Sequence, residues 1–224
     1  MNLEQARNNM VEQQIRTWEV LDQDVLDLLY LVPREEFVPP QYKALAFSDL
    51  EIPIEDAVKA GERMWQPKME ARVIQELALK KTDQVLEVGT GSGYLTALLA
   101  HRAAQVYSVE LQPALAAFGK ANILRHGVDN VTLETGDGAR GYPKWGPYDV
   151  VLLTGSVPVL PRAVLESLAP GGRAFAVIGE APLMTAKIFT CTAPGAYATF
   201  RTVELFETQL APLVNCERPS RFRF

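Results

Sequence analysis

The chain has 224 residues, 48% of them hydrophobic, and a formal net charge of −5, which allows one substantial core and leaves only a tight fit for two independent catalytic domains. Its acidic balance argues against a general affinity for nucleic acid, which shows as a surplus of lysine and arginine. Two cysteines, Cys191 and Cys216, and two histidines, His101 and His126, exclude a disulfide scaffold and a histidine-rich metal centre, so no metal site is expected.

The stretch MNLEQARNNM at the N-terminus is polar, and no run approaches the roughly 20 apolar residues of a membrane span, so a cytoplasmic protein without membrane contact is expected. Asp22 is placed to cap a helix through Leu31 with Val25, Leu26, Leu28 and Leu29 on its apolar face, and Pro33 ends it. From Pro39 to Gly61 prolines and acids mix without period, which reads as irregular. Pro67 suits the first turn of a helix carrying Met69, Val73, Ile74 and Leu77 on one face. From Gln84 short apolar runs alternate with helical stretches, the pattern of parallel βαβ units. Strands are expected at Gln84–Val88, Gln105–Glu110, Val131–Thr135, Tyr148–Leu153 and Arg173–Ile178, with helices at Tyr94–Arg102, Pro113–His126 and Pro161–Leu168. Pro170-Gly171-Gly172 marks a turn into the fifth strand, and Ala186–Thr192 and Tyr197–Phe206 read as a hairpin around Pro194 and Gly195. The chain thus divides into a helical extension over residues 1–80, contributing to a substrate site, and an α/β core over 81–224.

The segment from Val85 to Tyr94, VLEVGTGSGY, joins an apolar strand to a helix through three alternate glycines. Glycine accepts positive φ and lets a ligand approach the backbone, and the helix start presents free N–H groups. Gly89, Gly91 and Gly93 are spaced G-x-G-x-G; the third glycine of a dinucleotide fingerprint would fall on Tyr94, so the pattern departs from that of NAD. Glu87 places a carboxylate where a pyrophosphate would be repelled and a cationic sulfonium welcomed, which favours S-adenosylmethionine. Glu110, ending the second strand, suits the two hydroxyls of a ribose, and Asp137, between Gly136 and Gly138, is an acceptor for an adenine amino group.

These residues resemble those of the protein-L-isoaspartate O-methyltransferase family. The likeness runs from Met10 to Leu213 and includes Val32-Pro33-Arg34-Glu35-Glu36-Phe37-Val38-Pro39, Leu86 to Tyr94, Gly136-Asp137-Gly138, Tyr148-Asp149, Pro170-Gly171-Gly172 and Pro212-Leu213. The resemblance implies a Rossmann-like, mostly parallel methyltransferase sheet of about seven strands with an N-terminal helical extension. It implies repair of isoaspartyl residues in peptides and proteins by methylation of the abnormal α-carboxylate. It places Glu87, Gly89, Gly91 and Gly93 at the methionine part of the cofactor, Glu110 at the ribose, and Asp137 with Gly138 at the adenine. Thr90, Ser92 and Leu111 complete the cofactor set, and Met64, Gln66, Lys68 and Thr154 the substrate set.

One departure stands out. Where the family carries Thr-Ile-Ser followed two residues later by proline, this chain reads Arg63-Met64-Trp65-Gln66-Pro67, with Trp65 in place of the active-site serine. An indole donates one hydrogen bond and accepts none, and its bulk fills space. Trp65→Ser is therefore expected to raise activity on isoaspartyl peptides if the ring crowds the carboxylate; a ring packed instead as an aromatic wall or lid would make truncation open a cavity, and activity would fall with stability. Lys68 or Arg63 is a candidate to attract the substrate carboxylate. Three readings stay open: the isoaspartyl enzyme, a relative with another acceptor, and a cofactor-binding module without turnover.

Overall fold

The computed structural model describes residues 2–54, 62–193 and 199–218. Helix α1 (Leu3–Asn9) is capped by Asn2, whose side chain accepts the Gln5 N–H. The helical path widens into a π-helical segment, Met10–Ile15, that buries Met10, Val11 and Ile15, and ends in a tight 3-10 turn over Arg16–Trp18. Helix α2 (Gln23–Leu31) starts at Asp22, whose side chain accepts the Asp24 N–H at 2.9 Å, and it buries the four apolar residues expected of it.

The stretch expected to be irregular holds more order than its composition suggests. It contains a 3-10 helix, Pro40–Leu45, and a short strand β1 (Ile52–Pro53), which pairs antiparallel with β2 (Arg63–Met64). The reason is long-range: Ile52 is fully buried, and each short strand is defined by its partner across the connection. Residues 55–61 of that stretch lie outside the described residues. Helix α3 (Pro67–Leu77) follows, opened by its proline.

The core then alternates β3 (Gln84–Val88), α4 (Tyr94–Arg102), β4 (Gln105–Glu110), α5 (Pro113–Arg125), β5 (Val131–Thr135), β6 (Tyr148–Val157), α6 (Arg162–Glu166) and β7 (Leu168–Glu180), and closes with β8 (Leu183–Ala193) and β9 (Thr199–Glu207). The seven strands lie in the order β5-β4-β3-β6-β7-β8-β9. They are parallel through β7, and β8 and β9 are antiparallel additions. This is the α/β sheet with an N-terminal helical extension that the sequence predicts. Strands β6 and β7 outrun their expected bounds. The Pro170–Gly172 turn lies inside β7 as a bulge, where the register moves from Tyr148↔Leu168 to Val150↔Arg173. Pro194, Gly195 and Tyr197 of the expected hairpin lie outside the described residues.

Alternation along the strands splits the apolar residues between two faces. Val85 belongs to the same apolar cluster as Met10, Leu26, Val73 and Leu98, whereas Leu86 and Val88 belong to a second cluster with Tyr148 and Val164 on the other side. The N-terminal extension thus shares a continuous core with one sheet face. The chain runs outward from β3 to β4 and β5, then returns to lay β6 on the opposite side of β3. Such a reversal opens a crevice beyond the carboxyl ends of the strands. Among the described residues, no helix is long and apolar enough to cross a membrane.

Candidate cofactor and substrate site

The crevice is a cleft lined on one side by Val88 to Ser92, Glu110, Leu111, Asp137 and Gly138. Gly89 has φ 100°, and a Cβ there would lie 2.0 Å from Thr154 Oγ1. Thr154 Oγ1 is 2.8 Å from the Val88 carbonyl oxygen and 3.0 Å from that of Gly89, so its hydroxyl ties the glycine turn to β6. Gly93 works differently. Its φ is 81°, and a Cβ would meet the Gly119 carbonyl at 2.8 Å, so this glycine seats the loop against α5 and does not line the cleft.

Glu110 is 6% exposed at the end of β4. Its carboxylate accepts the Gly91 and Gln112 N–H groups, each at 3.0 Å. Carboxylate oxygens accept further hydrogen bonds, so Glu110 is oriented without being used up. Asp137 is held by the Ala139 N–H at 3.0 Å and by the Asn215 amide at 2.9 Å. Glycine loop, Glu110 and Asp137 thus meet along one edge, as their strand-end positions predict.

Glu87 corrects the expectation that its carboxylate lines this edge. It is fully buried and points to the face shared with α4, where Oε2 accepts from Thr96 at 2.5 Å and Ser108 at 2.6 Å, while Oε1 has no hydrogen-bond partner among the described residues. Burial pushes its carboxyl up to about 8, against those two hydrogen bonds. Ser108 Oγ also lies 2.6 Å from Thr90 Oγ1. Glu87 therefore supports the loop from beneath. Strand alternation carries the signal: Val88 faces one side, and its neighbour Glu87 must face the other.

The opposite wall includes Ile54, Met64, Trp65, Glu70 and Leu210 to Val214. Trp65 is 6% exposed; its indole N–H donates to the Thr154 carbonyl at 3.0 Å, and its ring lies 6.3 Å from that of Phe175. The indole is thus a packed wall whose donor is already engaged, which changes what Trp65→Ser should do: truncation opens a cavity beside Phe175. Gln66 and Lys68 do not line the cleft. Gln66 occupies the N-cap position of α3, and Lys68 pairs with Asp49 at 2.7 Å with Nζ 5.4 Å from the Trp18 ring centre.

Several contributors were not singled out from the sequence. Arg34, 1% exposed, donates to the Ala46 carbonyl at 3.0 Å and the Trp65 carbonyl at 2.6 Å, pairs with Glu70, and lies over the Tyr94 ring. Burial raises the Glu70 carboxyl, and the Arg34 guanidinium pulls it back. The Gln112 side chain donates to Glu62, joining the loop after β4 to the residue that precedes β2. The segment after β9 crosses the end of β6, where Ser156 N–H donates to the Ala211 carbonyl at 2.9 Å and Leu213 N–H donates back to the Ser156 carbonyl at 2.9 Å. Arg34 and Pro212-Leu213 stand within the landmarks of the resemblance; Glu70, Glu62 and Asn215 carry no local signal.

Residues 5–203 match the family model described as protein-L-isoaspartate(D-aspartate) O-methyltransferase. The protein-L-isoaspartate O-methyltransferase of Roseiflexus castenholzii is 36% identical over 214 residues, 96% of this chain and 94% of that protein. That of Methanoculleus marisnigri is 39% identical over 173 residues, 77% of each chain. A solved protein-L-isoaspartate O-methyltransferase superposes with a TM-score of 0.78 at 26% identity, covering 92% of this chain and 65% of that longer one. A Plasmodium falciparum structure in complex with S-adenosyl-L-homocysteine shares the fold, with a TM-score of 0.74 at 21% identity over 92% of this chain and 96% of that chain. With its glycine edge, its strand-end acids and these likenesses together, the chain belongs to the protein-L-isoaspartate(D-aspartate) O-methyltransferase family.

Proposed function

We propose that the protein is an S-adenosylmethionine-dependent protein-L-isoaspartate O-methyltransferase acting in protein repair. The observation that carries this reading is the meeting of the glycine loop, Glu110 and Asp137 with the Trp65 wall in one cleft. The donor set fits a cationic nucleoside: Glu110 is pre-oriented by two backbone N–H groups, and Asp137 by Ala139 and Asn215. Gly89 to Ser92 would hold the methionine part, Glu110 the ribose, and Asp137 with Gly138 the adenine. We place the activity in the cytoplasm, in keeping with Cys191 and Cys216 both being free thiols.

When bound, S-adenosylmethionine supplies a sulfonium methyl group, which a substrate carboxylate oxygen takes as the C–S electron pair passes to sulfur, leaving a methyl ester and a neutral thioether. A carboxylate is ionised at neutral pH, so the protein needs no general base, and neither histidine lines the cleft. The work of the chain is positioning. Trp65, Met64, Leu210 and Leu213 line the cleft with apolar surface that would exclude water, while Glu110 and the glycine loop would hold the donor; orientation of this kind is worth several kcal/mol.

The test is methyl-ester formation on an isoaspartyl peptide beside its normal aspartyl control, with cofactor binding followed by calorimetry. Ester on the isoaspartyl peptide alone is the expected result. Trp65 in the serine's place supports a second reading, a different acceptor; cofactor binding without ester on either peptide, together with ester on another acceptor in a broader screen, would favour it.

A further inference from the structure

We propose that Arg63 binds the carboxylate of the methyl acceptor and so selects acceptors that carry a free carboxylate; this rests on the methyltransferase reading above. The cleft is lined by Glu51, Glu62, Glu70, Glu110 and Asp137, and among its described lining residues Arg63 is the sole lysine or arginine. A ring of acids welcomes a cationic donor and repels an anionic acceptor, so a carboxylate substrate needs a local positive charge to enter.

The other charges nearby are committed. Glu70 is paired with Arg34, Glu110 holds two backbone N–H groups, Asp137 holds Ala139 and Asn215, and Glu62 holds Gln112. Lys68, the other candidate cation, is paired with Asp49 and lies off the cleft. Arg63 is exposed, with Glu51 as its electrostatic neighbour; burial raises the Glu51 carboxyl, and Arg63 opposes that rise. Arg63 lines the cleft with no ion pair or hydrogen bond to another described side chain, so its guanidinium donors are free for a ligand.

The backbone under Arg63 is well anchored. Arg63 pairs with Pro53 across the β1–β2 ladder. Two positions further on, Trp65 is held at its carbonyl by Arg34 and at its indole by Thr154. A planar guanidinium grips a carboxylate through two parallel hydrogen bonds, which an ammonium cannot reproduce.

The experiment uses the full chain as wild type, Arg63→Gln and Arg63→Lys. An isoaspartyl peptide is titrated at saturating S-adenosylmethionine, with donor affinity and melting temperature measured alongside. Arg63→Gln is expected to raise the peptide KM about tenfold or more while kcat stays within about twofold, the pattern of lost binding to a charged group. Donor affinity and melting temperature should hold, Arg63→Lys should recover part of the loss, and added salt should weaken the wild type more than Arg63→Gln. A wild-type KM in Arg63→Gln, or a rise matched by equal loss of donor affinity, overturns the role of Arg63 and leaves the methyltransferase reading standing. A wild type that forms no ester on the isoaspartyl peptide overturns both.

Discussion

Along the glycine-loop edge of the cleft, Gly89 to Ser92, Glu110 and Asp137 each sit at or just beyond the end of a parallel strand, and their spacing is that of the sheet itself. The facing wall draws Ile54, Met64, Trp65, Glu70 and Leu210 from segments on both sides of the core sequence. Those segments are joined by a few polar contacts: Arg34 to Glu70 and to the Trp65 carbonyl, Trp65 to the Thr154 carbonyl, Gln112 to Glu62. An edge inherited from a buried sheet is rigid whether or not its ligand-facing side chains are present. A wall assembled from long-range contacts is only as firm as those contacts, so stability and substrate handling should change together there.

The largest effect is expected at Trp65. Trp65→Ser removes a buried indole and leaves the Thr154 carbonyl without its donor, costing about 3 to 5 kcal/mol by the usual scale of aromatic truncations. Melting temperature and turnover of an isoaspartyl peptide should fall together, with donor affinity less affected. A variant that melts like wild type and turns over faster would show that the ring merely crowds the pocket, and the contrast between edge and wall would break.

At the edge the opposite partition is expected. Glu110→Ala should weaken S-adenosylmethionine binding by about 1.5 to 3 kcal/mol, the worth of hydrogen bonds to a charged group, with a much smaller change in the melting temperature of the cofactor-free protein. Calorimetry and thermal melts on the same samples check this. Unfolding of the variant would mean that the Gly91 and Gln112 hydrogen bonds build the edge and are not merely aligned by it.

The smallest effect sharpens the comparison beneath the glycine loop. Glu87 has its folded carboxyl raised to about 8 from 4.5. Its contribution to stability is therefore fully present below the unfolded value and declines as pH rises toward the folded one, because the native state alone holds the proton in that window. Glu87→Gln keeps an acceptor for Thr96 and Ser108 and removes the titration. It should melt like wild type at pH 4.5 and higher than wild type near pH 8, by about 3 °C or more. Parallel melting curves for the two proteins across that range would show that Glu87 does not hold a proton in the native state.

Local spacing made the edge legible. Alternating glycines after an apolar run, an acid ending the next strand and an acid between glycines after the third all follow from the period of a strand and the rule that ligands meet open parallel sheets at their carboxyl ends. The family landmarks extended that reading to the extension and to the Pro212-Leu213 crossing. Side-chain direction was harder. Glu87 and Gly93 belong to the loop motif yet face α4 and α5, which the motif alone does not state.

The sequence by itself determined the α/β order, the bounds of β3, β4 and β5, and the constellation of Gly89, Gly91, Glu110 and Asp137, because each depends on neighbours close along the chain. Tertiary structure alone decided that Lys68 is spent on Asp49 while Arg63 lines the cleft, that Trp65 donates to Thr154, and that Asn215 reaches Asp137. Trp65 and Thr154 are 89 residues apart, and Asn215 and Asp137 are 78 apart. At such separations a side chain's partner is set by how whole elements pack, which no spacing within the sequence expresses.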